Sequence, residues 1–334
     1  MLQYLIILLD EASTSFCSLT PCPSPRRGGS TLIPLETLRQ GIRFGMMENL
    51  MIQFVYPDKE LPEEYAEVIE SIDHSKIKSL PQPLQRRGEQ PLSPQPHLKE
   101  GRKNADVWVM NGLQDIEPVD IPIVLRIGKK ELFENSDDVC SLLDKTPRLN
   151  IVLTDIETFT EEDFTAYKEV LGRLSQKVEQ MYVEGKAPQL NLLTDRMMLS
   201  QMNNCGAGDT SVTLAPNGWF YVCPAFYYED ETDNIGDLEH GLDIRNRQLY
   251  KLEYAPICRH CDAWQCKRCV WLNRKTTLEV NTPSHEQCVV AHLERNASRE
   301  LLQNIRKHGT FLPEQGEIKE IDYLDPFDKK DTWQ

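Results

Sequence analysis

Seven of the ten cysteines in this 334-residue chain, Cys205, Cys223, Cys258, Cys261, Cys266, Cys269 and Cys288, fall between positions 205 and 288; only Cys17, Cys22 and Cys140 come earlier. With no readable export signal the thiols are expected to stay reduced, so the cluster points to metal ligation before disulfides. Cys205-x12-Gly218-x4-Cys223 encloses two β-like runs, SVTLA and WFYVC, around Asn217-Gly218. A hairpin there carries the two end thiolates towards one point. Downstream, Cys258-x2-Cys261-x4-Cys266-x2-Cys269 is a compact run of four thiolates. Cys288 follows in the first turn of an expected helix, capped by Ser284 with Gln287 completing a capping box and Gly309 past its end. The orphan N–H groups and dipole of that turn favour an anionic centre.

The spacing bears on the metal. Paired zinc knuckles are usually separated by about 15–20 residues, so that each approaches a single ion from its own side. Here four residues separate them. Close runs of cysteine suit iron–sulfur clusters, which take up to four thiolates each. Seven are too many for one cluster and nearly enough for two. Arg259, Lys267, Arg268, Arg274 and Lys275, against Asp262, offset the negative charge of such a centre. A zinc-stapled module is the alternative.

The elements that must position these thiols differ along the chain. The expected strands are Tyr4–Leu9, Ile52–Tyr56, Val107–Met110, Ile123–Ile127, Ile151–Thr154 and Leu190–Leu193, with helices near 35–48, 62–72, 131–144 and 160–183. Alternation of this kind builds a parallel sheet with crossover helices. The strongest helix starts at Thr160, with Asp163 three residues on, and spaces Phe164, Tyr167, Val170, Leu174, Val178 and Met181 along one face. Stretches 18–30 and 79–103, rich in Pro, Gln, Ser and Arg, read as surface insertions. After Asp195 the periodicity gives way to cysteines, Asn, Gly and aromatics. The expected division is an α/β domain at 1–195, a cysteine-rich module at 200–295, and a helix end with an acidic tail at 296–334. A formal charge of −15 and a pI near 5.0 remove any general field for nucleic acid. The apolar run near the N-terminus is too short for ~30 Å of hydrocarbon, so a cytoplasmic protein without a membrane span is expected.

The pattern Cys205-x12-Gly218-x4-Cys223, the four-cysteine run and Cys288 resemble the seven-cysteine signature of SPASM domains, the auxiliary-cluster extension of radical SAM peptide-modifying enzymes. The first half fits CX9-15GX4C; the middle reads CX2CX4CX2C where that family usually shows CX2CX5CX3C. The resemblance implies two 4Fe-4S clusters, one on Cys205, Cys223 and Cys269, the other on Cys258, Cys261, Cys266 and Cys288. The segments MLQYLIILLDEASTSFC, FVYPDKELPEEY and CVWLNRKTTLEVNTPSHEQCVVAHLERN are similar to the CXXX repeat peptide maturase group of bacterial proteins. That likeness implies a partial (β/α)6-type radical SAM-like barrel followed by a SPASM-like module, with a small ribosomally made CXXX-repeat peptide as partner.

The CX3CX2C motif that holds the S-adenosylmethionine cluster is not readable. The loop after the first strand offers only Cys17-x4-Cys22, and Phe54-Val55-Tyr56-Pro57-Asp58 stands where a Gly-Gly-Glu-like segment is expected. S-adenosylmethionine binding is therefore in question, and catalytic residues are not assigned. Three roles follow: a maturase-family protein that binds peptide or passes electrons, with a partner radical SAM enzyme; a radical SAM enzyme with unconventional cluster ligands; or a zinc-stapled binding scaffold. Asp195 and Asp209 read as solvated turn carboxylates, His260 as exposed or supporting, and His285 and His292 as surface or packing residues. Trp219, Phe220, Tyr221, Phe226, Tyr227 and Tyr228 read as the small core around Cys223.

Overall fold

The computed structural model describes residues 1–17, 31–57, 59–79 and 105–318. The insertion at 18–30 with Cys22, all but Ser79 of that at 79–103, and the tail beyond 318 lie outside the described residues. Two compact units interleave along the chain, Met1–Ile116 with Gly206–Arg247, and Glu117–Cys205 with Gln248–Gln334. The first opens with β1 (Tyr4–Leu8), α1 (Leu35–Met47), β2 (Met51–Val55), α2 (Glu63–Glu70), β3 (Ser75–Ser79) and β4 (Val107–Asn111). The second takes over with β5 (Ile123–Ile127), α3 (Lys129–Glu134), α4 (Ser136–Leu142), β6 (Arg148–Leu153), α5 (Glu161–Val183), β7 (Gln189–Leu190) and α6 (Thr194–Met198). The first resumes with β8 (Ser211–Leu214), β9 (Phe220–Tyr221), α7 (Pro224–Glu229), β10 (Gly236–Asp237) and β11 (Gly241–Leu242). The second ends with α8 (Val270–Thr277) and α9 (His285–Lys307). The architecture is α/β with parallel strands and crossover helices.

In the first unit the strand order is β4-β3-β2-β1-β8-β9, parallel throughout except for β9. β1 is apolar on both faces, with Leu5, Ile7 and Leu8 fully buried, as a central parallel strand requires. The expected hairpin forms: Thr213 faces Tyr221 and Leu214 faces Phe220, with Gly218 at φ 83 in the turn. β8 also pairs in parallel with β1, and this pairing draws residues 206–247 into the first unit where composition divides the chain linearly. β3 is a strand that pattern reading passes over. Its sequence, SKIKS, offers one apolar residue, and pairing with β2 and β4 on either side supplies what its own composition lacks.

Helix α1 lies close on this sheet. A Cβ at Gly41 would stand 2.3 Å from Leu214 Cδ2, and one at Gly45 would stand 2.8 Å from Ile52 Cδ1. Gly41→Ala is expected to destabilise the protein by about 1–3 kcal/mol through overpacking, despite alanine's higher helix propensity, as read by urea unfolding. A neutral or stabilising result would show that the helix can move away without loss.

In the second unit β5 and β7 flank β6 in parallel. The apolar run expected as a strand at Leu190–Leu193 yields only the two residues of β7 before the chain turns into α6, because a short buried run looks alike in strand and helix. The expected helix at 131–144 is likewise two, broken at Asn135. Helix α5 has its full capping box at Thr160 and Asp163 and buries the predicted stripe together with Leu171. Helix α9 starts where expected, Ser284 Oγ accepting the Gln287 N–H at 3.3 Å. The capping-box reply from the Gln287 side chain does not form; its Oε1 is buried without a hydrogen-bond partner among the described residues. Among the described residues, no helix is long and apolar enough to cross a membrane.

Candidate functional site

The four-cysteine run is irregular backbone, held by local contacts rather than by a sheet. A single 3-10 turn, Cys258–His260, bends the first knuckle, and the Cys261 N–H donates back to the Cys258 carbonyl at 3.1 Å. The second knuckle turns at Arg268, whose φ of 45 places a non-glycine residue in the left-handed region. Cys269 ends the run as the N-cap of α8, its sulfur accepting from the Leu272 N–H at 3.5 Å.

Cys258, Cys261, Cys266 and Cys288 all line one hollow. Cys288 comes from the first turn of α9, as does the hollow-lining Gln287, and His292 lies one turn beyond Cys288. Of the remaining predicted ligands, Cys205 is exposed and its N–H donates to the Lys267 carbonyl at 3.2 Å. Cys205 and Cys269 belong to the second unit; Cys223, buried at the N-cap of α7, belongs to the first.

Burial raises the thiols in the hollow. Cys258 is pushed up to about 12, chiefly by desolvation and further by neighbouring Cys261, and Cys266 and Cys261 are raised for the same leading reason. Without a metal these groups are neutral thiols at physiological pH; a bound cation supplies what makes them thiolates.

The charges around the hollow differ from those expected. Arg259 is exposed and Lys275 pairs with Glu157, so neither faces the thiols as a buried charge. The buried cations are Arg268, Arg196 and Arg295, each 2–3% exposed. Arg295 Nη1 donates to Asp262 Oδ1 at 2.5 Å, and Arg196 Nε donates to the Asp262 carbonyl at 2.6 Å while its guanidinium sits 4.0 Å from the Trp264 ring centroid. One buried carboxylate, Asp262, thus answers two of these guanidiniums, Arg295 and Arg196. Arg196 and Arg295 were not legible as site residues, because they lie far from the cysteine run in sequence. Asp195 is not a solvated turn carboxylate: it is buried and accepts from Arg148 Nη2 at 2.8 Å.

His292 packs as expected for a buried histidine, yet against a thiol: its Nε2 lies 3.2 Å from Cys261 Sγ. Burial, with Arg295 adding repulsion, pulls it down to about 3, so it is neutral. Cys261, Asp262 and His292 bring three ligand-type atoms within 4.8 Å of one another, but Asp262 is already engaged by arginine. Two residues on, Glu294 accepts from Tyr167 Oη at 2.8 Å and from Gln265 Nε2 at 3.3 Å, and burial pushes it up to about 7 against these two bonds.

These two groups give a pH prediction for the metal-free chain. Glu294, raised from 4.5 to about 7, contributes stability that is full below pH 4.5 and lost as pH rises through 7. His292, lowered from 6.5 to about 3, contributes stability that is full above pH 6.5 and lost as pH falls through 3. Their slopes oppose between pH 4.5 and 6.5. Glu294→Gln removes one of them, so the stability difference between variant and wild type is expected to rise by about 1.4 kcal/mol per pH unit across that window. Urea unfolding at pH 5 and 6 measures it, and a flat difference contradicts the burial of Glu294 as an acid.

In the first unit Phe220, Tyr221, Phe226, Tyr227 and Tyr228 are buried as a small aromatic core, with Tyr221 and Tyr227 centroids 5.1 Å apart, whereas Trp219 is exposed. Cys17, in the loop after β1, lies 2.8 Å from Ser15 Oγ.

No family model matches the chain, and no curated protein matches it. Solved structures do. Native anSMEcpe with bound AdoMet matches with a TM-score of 0.58 at 11% identity, over 90% of this chain and 99% of that one. Native anSMEcpe with bound AdoMet and the Cp18Cys peptide matches with a TM-score of 0.60 at 11% identity, over 92% and 100%. The complex with AdoMet and the Kp18Cys peptide gives 0.54 at 11%, over 91% and 99%. The chain shares its fold with these structures. At this identity the likeness speaks for the fold alone.

Proposed function

We propose that this chain acts in the maturation of a ribosomally made peptide, with Cys258, Cys261, Cys266 and Cys288 holding a 4Fe-4S auxiliary cluster. The observation that carries the reading is the gathering of four thiols around one hollow that the buried Arg268 also lines. Soft sulfur donors suit iron–sulfur clusters or zinc, and a four-thiolate centre is an anion of the kind Arg268 calls for. When bound, a cluster supplies one-electron transfer. The chain's own part is to exclude water from the hollow, fix the thiols through the two knuckles and α9, and offset their charge.

A peptide is the substrate class that the complexes of similar fold support, since anSMEcpe binds the Cp18Cys and Kp18Cys peptides. A CXXX-repeat precursor is the finer proposal, and the missing CX3CX2C motif assigns the radical-generating step to a partner radical SAM enzyme. A fluorescent CXXX-repeat peptide is expected to bind the anaerobically purified protein saturably, while a repeat-scrambled peptide does not. Absence of binding overturns the peptide reading. Formation of 5′-deoxyadenosine by the protein alone would remove the need for a partner.

A second reading rests on Cys261 and His292, since zinc takes sulfur and imidazole ligands together. It makes the module a zinc-stapled peptide-binding scaffold. Zinc without sulfide in the purified protein would decide for it.

A further inference from the structure

We propose that the buried guanidinium of Arg268 is the fixed counter-charge of the four-thiolate centre, and that it sets both the grip on the metal and, for an iron–sulfur cluster, the reduction potential. The proposal rests on the reading of Cys258, Cys261, Cys266 and Cys288 as the metal-holding set. Arg268 lies between Cys266 and Cys269, is 3% exposed and lines the same hollow as the four thiols. Its Nε donates to Asn204 Oδ1 at 3.1 Å and its Nη2 to the Tyr250 carbonyl, two neutral acceptors. Its Nη1 is buried with no hydrogen-bond partner, and no carboxylate forms an ion pair with it among the described residues. Asp262 is paired with Arg295 and Arg196 instead.

A guanidinium in this position is strongly unfavourable unless an anion joins it, because a low-dielectric interior solvates neither the charge nor the spare donor. The backbone adds to the disfavour. At φ 45 the position suits glycine or asparagine, and an arginine stands there instead. A metal or cluster held by four thiolates is the anion that the hollow can supply, with sulfur acceptors for the free Nη1. A fixed positive charge beside a redox centre favours its more negative, reduced state, so loss of the charge moves the potential downwards.

The test compares wild type with Arg268→Gln and Arg268→Lys, purified anaerobically and reconstituted, with the exposed Arg259→Gln as a control for solvent-screened charge. The readouts are metal per chain and an EPR-monitored redox titration. Arg268→Gln is expected to shift the midpoint to more negative potential, Arg268→Lys to shift it less, and Arg259→Gln to leave it unchanged. A midpoint in Arg268→Gln equal to wild type, or an equal shift in the lysine and glutamine variants, overturns the proposal. If Arg268→Gln does not assemble a cluster, Arg268→Lys decides: assembly supports the charge role, and failure overturns it. Zinc in wild type with no sulfide refutes the cluster reading, not the counter-charge. In that case Arg268→Gln is expected to lose zinc affinity by about 10- to 100-fold in a chelator competition, and an unchanged affinity overturns the counter-charge.

Discussion

Replacing Cys258 and Cys266 together by serine is expected to cost the anaerobically purified protein about four irons per chain, since a 4Fe-4S cluster takes four thiolates and the pair supplies half of that set. The two thiols sit on different knuckles of the same hollow, so serine at both leaves only Cys261 and Cys288 there. The sulfide content should fall in step. Loading is also expected to release protons, because Cys258 is held up to about 12 as a free thiol and must ionise to bind. A double variant that keeps its full iron complement would show that the hollow does not hold a cluster.

Asp262→Ala is expected to destabilise the metal-free protein by about 3–5 kcal/mol, the range for removing one partner of a buried ion pair. Asp262 is the carboxylate between Arg295, bonded to its Oδ1, and Arg196, whose Nη2 stands 3.9 Å from its Oδ2. Without it two guanidiniums remain buried beside Cys261 with no carboxylate between them. Asp262→Asn keeps an acceptor for Arg295 and should cost less. In the metal-loaded protein the loss should shrink, because the anionic centre takes over part of the neutralisation. Urea unfolding of both forms measures the two values. Equal losses in the loaded and metal-free forms would mean that the arginines do not sense the centre.

Much of the scaffold was legible because its elements carry strong periodic patterns. β1 announces itself as an unbroken apolar run, and α5 through a capping box and an apolar stripe of seven buried residues. The hairpin at 211–221 was readable from Asn217-Gly218, but its attachment to β1 was not, since strand pairing between residues 200 apart leaves no local mark. β3 was invisible for the opposite reason, its composition being that of an exposed turn. At the site, spacing pointed to the thiols. The counter-charges had to wait for the fold: Arg196 on α6 and Arg295 on α9 approach the cysteine run only through packing, while Arg259, beside Cys258, points to solvent exposure instead. His292 was read as a packing residue, and its contact with Cys261 depends on the register of α9 against the first knuckle.

The most direct test of the account is to purify the wild-type protein anaerobically and quantify iron, acid-labile sulfide and zinc per chain. The account predicts at least about four irons with matching sulfide and little zinc, the content of the cluster on Cys258, Cys261, Cys266 and Cys288. About one zinc per chain without sulfide would contradict it and leave a zinc-stapled scaffold in its place.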